Sequence, residues 1–266
     1  MNERLERFLF APANATSAAI FRVIFATVLA ANFRILGDAT RAIESHPLMR
    51  TLFHAIFLTR PYHWMCLLLI AVFAVGIRPR LVGLILVAML TPLDFLTIGQ
   101  QSRQMLLFAL FAFSFLRSDL RLALWRSHGD DSAGPMWPIR LIQIQLSLVY
   151  GINALAKTTP VYLSGDILIG FARMLPNFSG SIIDGVLHLG PLAIPVMLAA
   201  ILSVATEYLL AIGFWIRRLR WPVAIIGVLF HLILQSILHI YMLDWTSLAM
   251  YPAFLLPFDR VNGTRQ

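Results

Sequence analysis

The chain contains a single lysine. Of its 21 Lys+Arg residues, the one that is not arginine is Lys157. Arginine keeps its proton at every accessible pH, whereas a desolvated lysine can lose it and act as a base or nucleophile. Lys157 closes an apolar stretch, Leu141 to Ala156, directly before Thr158, Thr159 and Pro160. Behind it, Gln143, Ser147, Tyr150 and Asn153 or Ala154 recur at steps of three and four, so a helix places them on one face with Lys157. A polar stripe leading to an amine makes a surface open to water or to a partner. The same stripe also serves as structural glue when neighbouring helices satisfy it. A lysine at a helix end can also simply snorkel to the interface.

Other ionisable groups sit in apolar surroundings. Glu207 is the one acid in its run, within Ser203-Val-Ala-Thr-Glu207-Tyr-Leu-Leu. A buried carboxylate is either protonated or paired with a cation. Arg22, in the first apolar stretch, and Lys157 are the two partners on offer. His231, Gln235 and His239 follow one another at intervals of four. Two histidines eight apart are not a metal motif by themselves, so His231 is expected as a hydrogen-bonded core residue. Asp94 and Arg103 are expected as a weak interfacial pair. The lone cysteine, Cys66, excludes an internal disulfide and a thiolate metal cluster. No phosphate loop, zinc pattern or nucleophile elbow is present, and no metal is expected.

The elements that position these groups are membrane helices. Hydrophobic residues make up 59% of the chain and charged residues 13%, with a mean hydropathy of +0.79. Soluble domains average about 45–50% apolar and about 25% charged, so the composition is that of an integral membrane protein whose first partner is the lipid bilayer. The net charge of +8 comes from arginines scattered over short loops, which argues against nucleic acid as a partner. Apolar runs predict eight spans, at Thr16–Leu36, His63–Ile77, Leu81–Ile98, Met105–Leu116, Pro138–Ala156, Pro191–Trp215, Trp221–Ile240 and Trp245–Phe258. The second, fourth and eighth are short. No small-residue cleavage site follows the first, which is read as a retained span.

Arginine placement sets the orientation. With a cytoplasmic N-terminus, 13 arginines fall on the inner side and 5 on the outer, with Arg22 and Arg34 within the first span. Both termini are then cytoplasmic, and Lys157 stands at the outer end of the fifth span. The outer connection that follows, Thr158 to Gly190, alternates apolar residues with Tyr162, Asp166 and Arg173 over Val161–Leu175, which predicts a short helix in the interface. Asn177 to Gly180 reads as a turn. The inner connection Arg117–Trp137 reads as a solvated loop. The expected fold is an all-α polytopic membrane helix bundle of about eight spans, one domain over residues 1–266. A high-arginine, low-lysine chain of this kind fits a bacterial inner membrane.

The later spans resemble a known family. The run Leu141 to Lys157 with its polar stripe, followed by Tyr162-Leu-Ser-Gly165, resembles a motif of the vitamin K-dependent γ-carboxylase-like proteins, which share the horizontally transferred transmembrane domain. Their pattern is an aromatic-rich helix, a lysine, a short spacer, an aromatic residue and a glycine. Glu207, the pair Phe230-His231, and Ile240-Tyr-Met-Leu-Asp-Trp245 resemble the family's acidic helix, its Phe-His pair and the segment after it. Two positions depart from the pattern. Gly99-Gln-Gln-Ser102-Arg-Gln holds no histidine where the carboxylases place one, and Tyr241 replaces a glycine.

The resemblance implies a specific chemistry. Lys157 would be the catalytic base on a reduced quinone, a lipid-soluble small molecule serving as cofactor, with Glu207 and His231 in support. Tyr150, Asn153, Gln143, Tyr162 and Gly165 would form the substrate-binding set. Lys157 on the outer face agrees with the lumenal chemistry of the carboxylases, whose quinol is deprotonated, then oxygenated to a strong base that removes a γ-proton from a glutamate side chain. The alternative is a non-catalytic membrane anchor or maturation partner for an extracytoplasmic protein, which the short loops favour. A transporter is disfavoured by the lack of an inverted repeat.

Overall fold

A computed structural model describes residues 3–43, 60–96, 101–129, 131–174, 193–238 and 241–259. The chain is mostly helical. Among the described residues, each of the eight predicted apolar runs is largely helical. In chain order the helices are α1 (Glu3–Phe10), α2 (Ala15–Ile43), α3 (Arg60–Val75), α4 (Pro79–Leu96), α5 (Gln101–Phe113), α6 (Trp137–Lys157), α7 (Pro160–Leu163), α8 (Asp166–Met174), α9 (Ala193–Gly213), α10 (Arg220–Leu238), α11 (Tyr241–Met250) and α12 (Pro252–Leu255). Two short strands, β1 (Pro12–Asn14) and β2 (Ser132–Pro135), pair antiparallel. Helices α6 and α9 are long and apolar enough to cross a bilayer, and shorter apolar helices lie in α2, α3, α4, α5 and α10. At 1.5 Å per residue, 21 residues span about 31 Å, matching a hydrocarbon core of about 30 Å.

The chain divides into two compact units. The first comprises residues 1–144 and 242–266. In it α2 packs on α3, α3 on α4 and α4 on α5. Phe21 anchors its core, with ring centroids 5.0 Å from Phe113, 5.7 Å from Phe25 and 6.2 Å from Phe258. Outward-facing residues on these helices are also apolar, including Leu68, Leu81, Phe108 and Phe111. Helices apolar on every side need a partner other than water for their outer faces.

Arg22 is completely buried in this unit. Its guanidinium donates to the carbonyls of Ala74, Ser118 and Leu122. Those carbonyls are freed because the chain turns there, with Gly76, Arg78 and Leu122 all in the left-handed region. Gly76 is required twice over. It adopts φ +82°, and a Cβ there would come within 2.9 Å of the Arg22 guanidinium carbon.

The inner connection expected as a solvated loop is instead built into this unit. Ser118 and Ala133 are fully buried, and Leu116, Leu120 and Met136 nearly so. Strand β2 pairs with β1, and the N–H of Ala15 donates to Asp131 O at 3.0 Å. Asn14 then caps α2 by accepting from the Ser17 N–H at 2.9 Å. Hydropathy alone reads Gly134, Pro135 and the nearby aspartates as loop, because strand pairing between residues so distant leaves no local signal.

The second unit, residues 145–241, holds most of α6 together with α7 to α10. The helix expected over Val161–Leu175 is two helices, α7 and α8. Gly165 separates them with φ +88°. A Cβ at Gly165 would meet the Val196 side chain at 2.7 Å and the Met197 backbone nitrogen at 3.2 Å, so only glycine lets this corner lie against α9. Thr159 caps α7, and Pro160 occupies its first turn, where a missing N–H does no harm. Tyr162 packs there with Ala200 and Val204. The proposed turn at Asn177–Gly180 lies outside the described residues.

Candidate functional site

The polar stripe on α6 forms as its spacing requires, and its members find separate partners along the helix. Gln143 is buried, donates to the carbonyl of Ala253 at 2.7 Å and accepts from Arg140 at 2.9 Å. Ser147 accepts from the indole N–H of Trp215 at 2.8 Å. The Tyr150 hydroxyl is 2.6 Å from His231 Nε2. Lys157 Nζ donates to Glu207 Oε1 at 2.6 Å. Gln143 stands 14 residues before Lys157, about 21 Å along the helix axis. It therefore belongs to the far end of the stripe and cannot share a small ligand with the amine.

The Lys157 end carries the ionisable chemistry. Glu207 is the one charged residue of α9 and is buried. Its side chain is 5% exposed, while that of Lys157 is 32% exposed. The pair is therefore asymmetric, with a sequestered acid and an amine that reaches outward. Lys157 Nζ also sits 5.8 Å from the centre of the Tyr162 ring, a cation–π distance. The second carboxylate oxygen, Glu207 Oε2, is buried without a hydrogen-bond partner among the described residues. A buried carboxylate oxygen left unpaired is costly, and marks where a proton, water or ligand donor would be accepted.

Around this pair the hydroxyls are ordered. Thr158 Oγ1 donates to the carbonyl of Ala154 at 2.7 Å and lies 3.1 Å from the Tyr208 hydroxyl. The Tyr162 hydroxyl is 3.4 Å from Ser203 Oγ. One step further in, the Tyr150–His231 pair lies within electrostatic reach of Glu207. His231 is buried, and its ring is 5.5 Å from that of Phe230.

Of the expected site residues, the structure gathers Lys157, Glu207 and Tyr162 in one cluster, with Tyr150 and His231 as an adjoining pair. Asn153 is half-buried on α6 between Tyr150 and Lys157. Gly165 shapes the corner below Tyr162 and offers no side chain. Of Glu207's two proposed cations, the structure selects Lys157. Thr158, Ser203 and Tyr208 were not anticipated. Ser203 had a signal, one helical turn before Glu207 in an otherwise apolar run. Tyr208 and Thr158 had none, since their meeting depends on how α6 and α9 lie against each other. The side chains of Gln235, His239, Asp94 and Arg103 lie outside the described residues.

These residues sit within a match to a family model. The HTTM domain model covers residues 10–258, nearly the whole chain. Neither a curated protein nor a solved structure matches the chain. The span of that match takes in the amine, the buried acid and every helix that carries them, and the chain belongs to the HTTM domain family of membrane proteins.

Proposed function

We propose that this protein is a membrane enzyme that uses Lys157 as a general base on a lipid-soluble, quinol-like hydroxyl. The observation that carries this reading is the asymmetric Lys157–Glu207 pair, in which the only lysine is held by a sequestered carboxylate with a free oxygen. Moving one proton along the 2.6 Å hydrogen bond converts ammonium and carboxylate into amine and carboxylic acid without changing net charge. The amine lone pair can then take the substrate's hydroxyl proton. The N–H bond forms, the O–H bond breaks, and the electron pair remains on the substrate oxygen beside the new ammonium. The Tyr162 ring lies 5.8 Å from the amine, and the half-buried Asn153 stands between Tyr150 and Lys157 on α6.

The same reading takes all eight apolar runs as membrane spans, with both termini inside and α7–α8 lying in the outer interface. It draws support from the arginine asymmetry and from exposed tryptophans at helix starts, Trp64 on α3 and Trp221 on α10. A bacterial inner membrane fits this arrangement. The test is turnover of a reduced naphthoquinone, followed as oxygen uptake, by protein in lipid nanodiscs. Lys157→Met and Lys157→Arg should both lose activity, because neither side chain can cycle a proton. Full activity in either variant overturns the proposal.

A second reading is a non-catalytic anchor for an extracytoplasmic partner. It is favoured by the pairing of Gln143, Ser147, Tyr150 and Lys157 inside the protein, which is how a structural stripe behaves. Under it, Lys157→Met lowers stability and leaves no quinol-dependent activity to lose.

A further inference from the structure

We infer that the segment after α5 is a lipid-binding wedge, with Leu122, Leu124 and Trp125 seated among acyl chains and the arginines around them holding anionic phospholipid headgroups. Residues 117–129 are not helical, and although Leu120 is buried, three of their large apolar side chains are exposed. Leu122 is 63% exposed, Leu124 80% and Trp125 67%. An irregular segment normally presents polar groups to water. Here the backbone is pinned so that these three residues project. The Leu124 N–H donates to the Val75 carbonyl at 2.8 Å, and the carbonyl of Leu122 is held by Arg22. Leu122 adopts φ +47°, a conformation a branched residue takes only when its surroundings enforce it.

The charges around the wedge argue for a lipid as its occupant. Arg80, Arg117 and Arg126 are fixed through backbone carbonyls, those of Phe115, His128 and Leu120. A carbonyl orients a guanidinium without cancelling its charge. Arg121 forms an ion pair with Asp131. Arg78, in the turn touching Ala123, and Arg80, in the first turn of α4, bring the local count to five arginines against Asp119 and Asp131 among the described residues. Apolar tips with a tryptophan, ringed by oriented arginines, complement the boundary between headgroups and acyl chains. Strand pairing sets a second amphipathic piece alongside. β1 directly follows α1, and β1 pairs with β2 beyond the wedge. Helix α1 exposes Leu5 and Phe10 while carrying Arg4 and Arg7. In the proposed eight-span arrangement, on which this inference rests, the flanking apolar helices α5 and α6 both lie in the membrane and make lipid the adjacent phase.

The test uses the single cysteine. Cys66→Ser removes the native thiol, and Leu124→Cys, at an exposed position, accepts an environment-sensitive fluorophore. The protein is reconstituted into phosphatidylcholine vesicles carrying a bromine label near the headgroup end of the acyl chain. We expect strong quenching at residue 124 and blue-shifted emission. Absence of quenching overturns the wedge, whether the residue then faces water or another protein chain. A second measurement reads the headgroups. Adding phosphatidylglycerol should raise the thermal midpoint of the parent protein, and Arg117→Gln with Arg126→Gln should lose most of that gain. An equal gain in both proteins overturns the headgroup assignment. Neither readout depends on Lys157 or on turnover.

Discussion

Lys157 meets Glu207 through one carboxylate oxygen only, Oε1 at 2.6 Å, and the other oxygen is buried with no partner among the described residues. An ion pair built solely for stability would satisfy both oxygens, since each unpaired buried acceptor carries a desolvation penalty. The half-satisfied acid is the feature that turns a paired lysine into a candidate proton-transfer site.

Removing either partner should destabilise the protein, and removing both should cost less than the sum. Breaking a fully buried pair typically costs about 3–5 kcal/mol. The cost here should be smaller, because the Lys157 side chain is 32% exposed and water can solvate part of it. Thermal midpoints of Lys157→Met, Glu207→Leu and the double variant form the measurement. Strict additivity would show that the pair is not coupled.

Lys157→Arg separates charge from proton transfer. It can keep an ion pair with Glu207 and so hold the fold. It should nonetheless lose quinol-dependent turnover by about 100-fold or more, the usual contribution of a positioned base. A folded, fully active arginine variant would show that only the positive charge matters.

The Tyr150–His231 contact should show up as coupling. Tyr150→Phe removes one hydrogen bond of 2.6 Å and should cost about 0.5–1.5 kcal/mol. A cycle with His231→Gln should return a coupling energy of similar size. Denaturant or thermal unfolding in detergent reads it, and a coupling near zero would dissolve the pair.

Two glycines give a test of packing against function. Gly76→Ala forces a side chain into φ +82° and against Arg22 and Ala123. Gly165→Ala does the same at φ +88° against Val196 and Met197. Each should lose at least about 1–2 kcal/mol from the left-handed conformation alone, with more from the close contacts. Thermal stability is the readout. An unchanged midpoint for Gly165→Ala would leave substrate contact, rather than corner geometry, as the reason for glycine there.

The helices were legible because their signal is local. Apolar runs and steps of three and four announce a helix and its polar face without reference to the rest of the chain. Most helix ends lie within four residues of those expected; α2 runs on from Leu36 to Ile43, and the last run breaks between α11 and α12 before Pro252. The stripe from Gln143 to Lys157, and Glu207 as a buried acid needing a cation, were visible in the same way. The β1–β2 pair was not, since Pro12 and Pro135 belong to segments with no strand-like alternation.

Residue types and short spacings alone determined that this chain is a helical membrane protein, that its one lysine ends a polar helical face, and that Glu207 would seek a cation. Only the tertiary structure decided which cation that is. Lys157 and Glu207 lie 50 residues apart, Tyr150 and His231 lie 81 apart, and Arg22 reaches the Ser118 carbonyl across 96. Periodicity reports a neighbour one turn away. It cannot report which distant helix comes to rest beside it, nor that Arg22 would satisfy its donors on freed backbone carbonyls and leave Glu207 to the lysine.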